Sequence, residues 1–245
     1  MARHQAHLAL QPVGRKRLRP RAMIVFNFHT HDLSAHDAII SVSPSCFDPQ
    51  SGQLYSVGIH PWDTTNDWLQ DWDLLEKQSH HPQVVAIGET GLDTLRGAPL
   101  STQTEIFERH IALADKLGKP LIVHCVRAWQ ELIATWRHTA PHRVPLAVHG
   151  FRGNANIARQ LMKEGFYLSI GEHFNAEALA VTPHDRILIE NDDSNTDITS
   201  IATSAAQALA MSVDEFTILT SDNACRFISS QGLNYFSRVG KSDLR

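Results

Sequence analysis

Residues 26–34 read FNFHTHDLS, an apolar run that ends in two histidines, His29 and His31. In an extended chain, residues two positions apart point to the same side, so both imidazoles can reach one site. A single pair of this kind is weak support for a metal site, because similar pairs occur on protein surfaces by chance. The interpretation of this stretch depends on the similar apolar runs that follow it.

Short apolar runs, many of them β-branched, recur along the chain and predict eight strands. Continuous apolar runs of this length are typical of strands that are buried on both faces of a parallel sheet. The predicted strands cover residues 24–28, 38–42, 54–58, 84–88, 121–124, 145–149, 166–170 and 186–190.

Helical patterns separate the later strands, and this alternation predicts an α/β fold built of βα units. Eight such strands in one domain indicate a (β/α)8 TIM barrel. About ten residues separate the first strand from the second and the second from the third, whereas a parallel crossover usually needs a dozen or more. We therefore expect a distorted barrel, with its first two crossovers reduced to loops or short pieces of helix.

Three predicted helices have recognisable ends. Ser101 is expected to cap the helix that Gly118 and Pro120 terminate. A second helix is predicted over residues 154–165, and the sequence SVDE at residues 212–215 has the pattern of a capping box.

The charge distribution divides the chain in two. Residues 1–22 hold six of the 22 basic residues and no acidic residue. We expect either a disordered basic extension or, as the favoured interpretation, a translation start at Met23; a nucleic-acid-binding tail is the third possibility. Residues 23–245 form one predicted domain with 16 Lys and Arg against 26 Asp and Glu. This acidic balance argues against a long basic face that grips duplex nucleic acid.

The cysteines and the hydropathy favour a cytoplasmic protein. Cys46, Cys125 and Cys225 show no paired spacing, which argues against a disulfide framework and suits a reducing compartment. No run approaches the ~20 apolar residues that span a bilayer. We expect no membrane partner, and the sequence indicates no obligate protein partner.

Histidines and carboxylates cluster at the predicted strand ends, where a (β/α)8 barrel carries its chemistry. The strand-end residues are His29, His31, His60, Glu89, His124, His149, Glu190 and Asp192. So many candidate ligands at one barrel mouth are hard to obtain by chance, and they predict a metal site.

The same residues lie in the motifs FHTH, GIHPW, AIGETGLD, PLIVHCVRAW, VHGFRG and LIENDDS, and DNACRFI follows near the C-terminus. In order and spacing these motifs resemble the TatD-type metal-dependent hydrolases, the TatD DNase family, a branch of the amidohydrolase-like TIM barrels. The resemblance runs from about Val25 to about Ile228. It implies that His29 and His31 hold one metal ion, that Glu89 bridges two ions, and that His124 and His149 hold the second.

The resemblance also implies roles around these ligands. Asp192 matches an aspartate that contacts the metal and the nucleophilic water, and His60 matches a histidine on the substrate side. Glu190 lies deeper and is expected to orient a ligand. The family commonly has threonine where this chain has Asn191, and we expect that side chain to point away from the mouth.

The ligand types predict the cofactor. Imidazoles and carboxylates without a thiolate suit two divalent metal ions, Zn²⁺, Mn²⁺ or Mg²⁺. Two such ions can lower the pKa of a shared water and stabilise charge on the attacking and leaving oxygens. Asp192 and Glu89 are the predicted catalytic residues, with Asp192 as the general base.

The predicted function is divalent-metal-dependent, deoxyribonuclease-like hydrolysis of phosphodiester bonds, with DNA or a small phosphoester as substrate. His60, Arg127 and Arg152 are the predicted substrate-binding residues, and the alternative for each arginine is an exposed or ion-paired side chain. The alternative function is a small-molecule amidohydrolase or esterase that uses the same dinuclear site. A third possibility is a metal-binding protein with no hydrolytic role.

Four further residues carry smaller expectations. Asp93 is expected to support a ligand or to cap its loop. Trp62 is expected to form a wall of the site, and Trp129 either packs on a helix or stacks on a base. The Cys125 side chain is expected to point away from the mouth.

Overall fold

All eight predicted runs form strands in the computed structural model, which describes residues 24–65 and 67–229. The expectations about residues 1–22 and a start at Met23 lie outside the described residues. Each strand pairs in parallel with the next one along the chain. The strands are β1 (Asn27–Thr30), β2 (Ala38–Val42), β3 (Leu54–Val57), β4 (Val84–Asp93), β5 (Leu121–Val126), β6 (Leu146–Val148), β7 (Tyr167–Ile170) and β8 (Ile187–Ile189).

Helices follow the later strands, which confirms the predicted α/β barrel. They are α1 (Trp68–Gln78), α2 (Leu100–Leu117), α3 (Trp129–His138), α4 (Ala155–Lys163), α5 (Ala176–Val181), α6 (Ile198–Ala208) and α7 (Val213–Ile228). The first two crossovers are short, as expected: a loop joins β1 to β2, and a 3-10 helix at Pro44–Cys46 lies between β2 and β3. None of the described helices is long and apolar enough to cross a bilayer.

The sheet closes between its first and last strands. Thr30 forms a parallel bridge with Asp192, just beyond β8. The Asp192 N–H donates to the His29 carbonyl at 3.1 Å, and the His31 N–H donates to the Asp192 carbonyl at 3.2 Å. This seam brings the two ends of the predicted metal site together.

The strand boundaries differ most from the prediction at β1 and β4. β1 begins at Asn27 and includes His29, and β4 continues five residues beyond Gly88, to Asp93. Thr90–Asp93 pair with Val123–Val126 of β5 after a register shift. The Gly-containing stretch does not end the strand because a long partner strand continues to accept and donate its backbone hydrogen bonds.

The predicted helix ends are mostly confirmed. Gly118 ends α2 in the left-handed conformation, at φ 67°, and Ser212 forms the predicted capping box with Glu215. The prediction for Ser101 was wrong: α2 begins at Leu100 and Pro99 is its N-cap. The Pro99 carbonyl already accepts the N–H groups of Thr102 and Gln103, so the first turn starts before Ser101.

Side chains inside the barrel change from apolar to polar along each strand. Residues two apart share a face, and Ile122, Ala147 and Leu188 belong to one buried cluster that α7 also joins through Phe227. Two positions further on, these strands reach His124, His149 and Glu190. The apolar residues therefore fill the lower part of the barrel, and the polar ones face its mouth.

Candidate metal centre

Glu89 lies at the centre of the predicted ligands, and its two carboxylate oxygens face different histidines. Oε2 lies 3.4 Å from Nε2 of both His29 and His31. Oε1 lies 2.6 Å from His149 Nε2 and 3.1 Å from His124 Nδ1. The strands thus place a different set of imidazoles at each oxygen of one carboxylate.

Asp192 completes the first of these sets. Its Oδ1 lies 3.5 Å from Nε2 of both His29 and His31. The residue has φ 55°, a conformation that non-glycine residues seldom adopt. The backbone bonds to β1 and a 3.1 Å hydrogen bond from the Thr30 hydroxyl to the Asp192 carbonyl hold it there. Barrel closure therefore fixes the direction of this carboxylate.

Several buried polar atoms of the cluster have no hydrogen-bond partner among the described residues. They are Nδ1 and Nε2 of His29, Oε2 of Glu89 and Oε2 of Glu190. Ligand atoms of three groups also lie within 4.8 Å of one another: His29, His31 and Glu89; His29, His149 and Asp192; His60, Glu89 and His124. Buried polar atoms that are close together but poorly aligned for hydrogen bonds suit a shared cation. The residues present therefore fit divalent metal ions.

The charges of the cluster also favour a bound cation. Burial opposes the charged form of Glu89, but the surrounding histidines, His149 above all, hold its pKa well below its usual range. Burial also favours a neutral Asp192, yet His29 and His149 lower the pKa of this carboxyl to about 2. Both acids are thus carboxylates at neutral pH, and they draw positive charge into the barrel mouth.

Two further carboxylates contact the second set of histidines. Asp93 Oδ2 lies 3.3 Å from His124 Nε2, and Glu190 Oε1 lies 3.3 Å from His149 Nδ1. Each contact uses the ring nitrogen that points away from Glu89. The inner nitrogen can then offer a lone pair to a metal ion, which is the usual arrangement for ligating histidines. The expected supporting role of Glu190 and Asp93 agrees with these contacts.

His60 has the opposite arrangement, although it lies equally close. Its Nε2 is 3.0 Å from Glu89 Oε1, while its Nδ1 accepts the backbone N–H of Trp62 at 3.1 Å. Because Nδ1 is an acceptor, a neutral His60 carries its proton on Nε2 and cannot use that atom as a ligand. This geometry suits the predicted substrate-side role better than metal ligation.

The predicted ligands border a cavity of about 420 Å³. Its wall includes His31, His60, Trp62, Glu89, His124, His149 and Asp192. Arg152 lines a smaller cavity of about 230 Å³ that shares Asp192 with the first. Arg127 is exposed and lies in the wall of neither cavity. Trp62 forms a wall as expected, whereas Trp129 contacts Phe151 edge-on, with ring centres 5.6 Å apart.

Asn191 and Cys125 point away from the ligands, as expected. The Asn191 side chain pairs with Asn27 at 2.7 Å across the seam, and Cys125 lies in the core between the sheet and its helices.

Three residues near the mouth were missed by sequence reasoning: Arg96, Gln103 and His110. Gln103 and His110 are fully buried on α2. A signal was present, since both are polar residues on the apolar stripe that includes Ile106, Phe107 and Ala114. Arg96 stacks on Trp62 from the loop after β4, and no local pattern marks it.

The family model described as "TatD related DNase" matches residues 50–229 of the chain. The uncharacterized metal-dependent hydrolase YabD of Bacillus subtilis is 31% identical over 192 residues, which is 70% of this chain and 75% of YabD. The 3'-5' ssDNA/RNA exonuclease TatD of Edwardsiella piscicida is 32% identical over 147 residues, 56% of each chain.

A solved structure shows the same fold. YjjV, a TatD homolog from Escherichia coli K12, superposes with a TM-score of 0.69 at 18% identity, covering 78% of this chain and 85% of YjjV. The family match extends over more than half of the sequence and includes the strands that carry Glu89, His124 and His149. This chain therefore belongs to the TatD-related DNase family and is a metal-dependent hydrolase.

Proposed function

We propose that this protein is a phosphodiesterase that removes nucleotides from the end of a single-stranded nucleic acid, with DNA as the first substrate to test. The observation that carries the proposal is the division of the Glu89 oxygens between two sets of imidazoles. One carboxylate between two sets of ligands is the arrangement expected for a dinuclear site.

The proposed ligands form two groups around Glu89. His29, His31 and Asp192 would hold one divalent ion, and His124 and His149 the other. When bound, Zn²⁺, Mn²⁺ or Mg²⁺ would supply a charge that stabilises negative oxygen atoms and makes a water more acidic.

Asp192 is the proposed general base. About a quarter of its side chain is exposed to the cavity, at 26%, and its lowered pKa leaves it as a carboxylate at neutral pH. It would take the proton of the attacking water as the water oxygen bonds to phosphorus and the phosphorus–oxygen bond to the leaving nucleotide breaks. His60 lines the same cavity with its Nε2–H directed at Glu89 Oε1, and its imidazole would lie beside the substrate phosphate.

The relatives and the charge distribution support a nucleic-acid end as the substrate. The E. piscicida relative is a 3'-5' exonuclease on single-stranded DNA and RNA by its name. The acidic balance of residues 23–245 favours recognition at the cavity over contacts along a duplex, and Arg152, in the wall of the adjoining smaller cavity, could contact a phosphate there.

The direct test is cleavage of end-labelled single-stranded DNA in the presence of Mn²⁺, Mg²⁺ or Zn²⁺. We expect Asp192→Asn to slow cleavage by a factor on the order of 10²–10⁴, because the variant lacks the base. Asp193→Asn is the matched control: Asp193 lines the same cavity without a described contact to the ligand histidines, so the variant should retain most of the activity.

No metal-dependent cleavage by the unaltered protein would contradict the proposal. A panel of small esters and amides would then test the alternative hydrolase.

A further inference from the structure

A tryptophan and an arginine from neighbouring loops stack at the rim of the cavity. The guanidinium carbon of Arg96 lies 4.3 Å from the centre of the Trp62 ring. Trp62 follows β3 and Arg96 follows β4, so the pair stands at the carboxyl ends of the strands. Within the described residues, no carboxylate is paired with the Arg96 guanidinium, unlike those of Arg109, Arg137 and Arg186. Its charge is therefore free for a ligand.

The loop that carries Arg96 is held from below by one buried side chain. The Gln103 amide nitrogen lies 3.0, 2.9 and 2.8 Å from the carbonyl oxygens of Asp93, Arg96 and Ala98. The Gln103 amide oxygen accepts the Asp93 N–H at 2.7 Å. These bonds fix the backbone on both sides of Arg96 and reduce the entropy that ligand binding would cost.

The same loop is held laterally against the one that carries Trp62. Gly97 has φ +87°, and a Cβ at this position would collide with the Pro61 carbonyl, so only glycine allows the two backbones to approach. The Thr64 hydroxyl accepts the Ala98 N–H at 3.0 Å. The contacts between the two loops thus fix the position of Arg96 relative to Trp62.

The cavity beside this pair is acidic. Glu89, Asp192, Asp63 and Asp193 are in its wall, and among its described lining residues none is Lys or Arg. A polyanionic strand needs positive charge near its entrance, and a guanidinium provides a fork that matches phosphate oxygens. Leu95, next to Arg96, is 60% exposed and offers apolar surface for a base.

We propose that Arg96, held on the face of Trp62, binds a phosphate of the substrate strand that neighbours the scissile one. This inference rests on the proposed phosphodiesterase function and adds a nucleotide subsite to it. The indole contacts both the guanidinium and the surroundings of the proposed ligands: Arg96 lies over its face, Trp62 Nε1 donates to Asp93 Oδ2 at 2.6 Å, and that oxygen lies 3.3 Å from His124 Nε2. Arg96 is thus close to the proposed metal site without contacting its ligands.

The test separates binding of a strand from hydrolysis of one ester. Binding of a fluorescently labelled oligothymidylate of about ten nucleotides is measured by anisotropy with Mn²⁺, in the Asp192→Asn background that slows turnover. Adding Arg96→Gln should weaken binding about tenfold and flatten its salt dependence, because one phosphate contact is lost. With Asp192 intact, Arg96→Gln should leave hydrolysis of bis(p-nitrophenyl) phosphate unchanged, since this substrate has one phosphate.

Arg109→Gln is the matched control. The Arg109 guanidinium lies 4.9 Å from the centre of the Trp68 ring, so it forms a similar stack away from the cavity. This variant should bind the oligonucleotide like its parent.

Three outcomes decide the matter. Unchanged oligonucleotide binding by Arg96→Gln overturns the inference, as does an equal loss on bis(p-nitrophenyl) phosphate, which would place the arginine at the scissile group or in the fold. Arg96-dependent binding without cleavage of DNA or bis(p-nitrophenyl) phosphate by the unaltered protein would support the subsite and contradict the proposed function.

Discussion

The ring nitrogen that points away from Glu89 distinguishes the proposed metal-binding histidines from His60. His124 and His149 present that nitrogen to a carboxylate, whereas His60 presents it to a backbone N–H. All three inner nitrogens lie within 3.1 Å of Glu89, so distance alone does not separate ligands from donors. The hydrogen-bond partner on the other side of the ring does.

Asp93→Asn tests this view of the orienting residues. Asp93 Oδ2 accepts the Trp62 indole N–H and faces His124, so an amide nitrogen at that position would oppose two donors. We expect the affinity for Mn²⁺ or Zn²⁺ to fall about 10–100-fold, as measured by isothermal titration.

The control for Asp93 is Asp63→Asn, because Asp63 lines the cavity without a described contact to a ligand histidine. Lost hydrolysis with unchanged metal affinity in Asp93→Asn would show that this carboxylate does not orient a ligand.

At the scale of the elements, α2 supports the mouth through two buried polar side chains. Gln103 holds the loop after β4, and His110 reaches the end of β3. His110 Nε2 accepts the Ile59 N–H at 3.1 Å, and its Nδ1 lies 2.7 Å from the Ile106 carbonyl. Since Nδ1 must donate and Nε2 must accept, His110 is a neutral imidazole. Its partner Ile59 immediately precedes His60, so this bond holds the backbone next to His60.

The neutral state of His110 predicts a pH dependence of stability. Burial lowers its pKa from an ordinary value of 6.5 to about 4, against the opposing effect of the Ile106 carbonyl. As the pH falls through this window, the unfolded chain binds a proton that the folded chain excludes, so the free energy of unfolding decreases. Between pH 7 and pH 5 the expected loss is about 2 kcal/mol.

Urea unfolding at the two pH values measures this loss, with His110→Gln for comparison. The variant cannot titrate at this position. Between pH 7 and pH 5 its free energy of unfolding should therefore fall by about 2 kcal/mol less than that of the unaltered protein. His138→Gln, at an exposed position on α3, should keep the full dependence. Equal pH dependence in all three proteins would contradict a neutral, buried His110.

At the scale of the whole molecule, one seam decides whether the site exists. β1 supplies His29, the position just after β1 supplies His31, and the segment after β8 supplies Asp192, so the first proposed ligand group forms only when the barrel closes. Besides the backbone bonds, Asn27 and Asn191 join the two sides: Asn27 Nδ2 donates to Asn191 Oδ1 at 2.7 Å, and the Asn191 N–H donates to Asn27 Oδ1 at 3.2 Å.

A double-mutant cycle tests the seam. Asn27→Ala should reduce the free energy of unfolding by about 1–3 kcal/mol, because it leaves two partly buried groups of Asn191 without their partner. Asn191→Ala should reduce the free energy of unfolding by less than Asn27→Ala does. The loss in the double variant should be smaller than the sum of the two single losses.

Asn195→Ala is the control, since Asn195 is exposed, and its effect should stay within about 0.5 kcal/mol. Strictly additive losses would show that the two asparagines do not stabilise the closure together.

The sequence by itself determined the strands, the order of the ligands along the chain and their chemistry. Eight apolar runs and their polar ends are local patterns, and residues two apart share a face whatever surrounds them. The barrel and the short first crossovers therefore followed from local patterns, and the resemblance of the motifs to the TatD-type hydrolases implied which residues meet at Glu89.

Only the tertiary structure decided which contacts form between distant segments. The extension of β4 depends on its pairing with β5, the direction of Asp192 depends on β1, and the stack of Arg96 on Trp62 depends on two loops that meet at Gly97. Register, bulges and loop packing set these directions, and a change of one residue in register would reverse them. Such long-range geometry leaves no local pattern in the sequence.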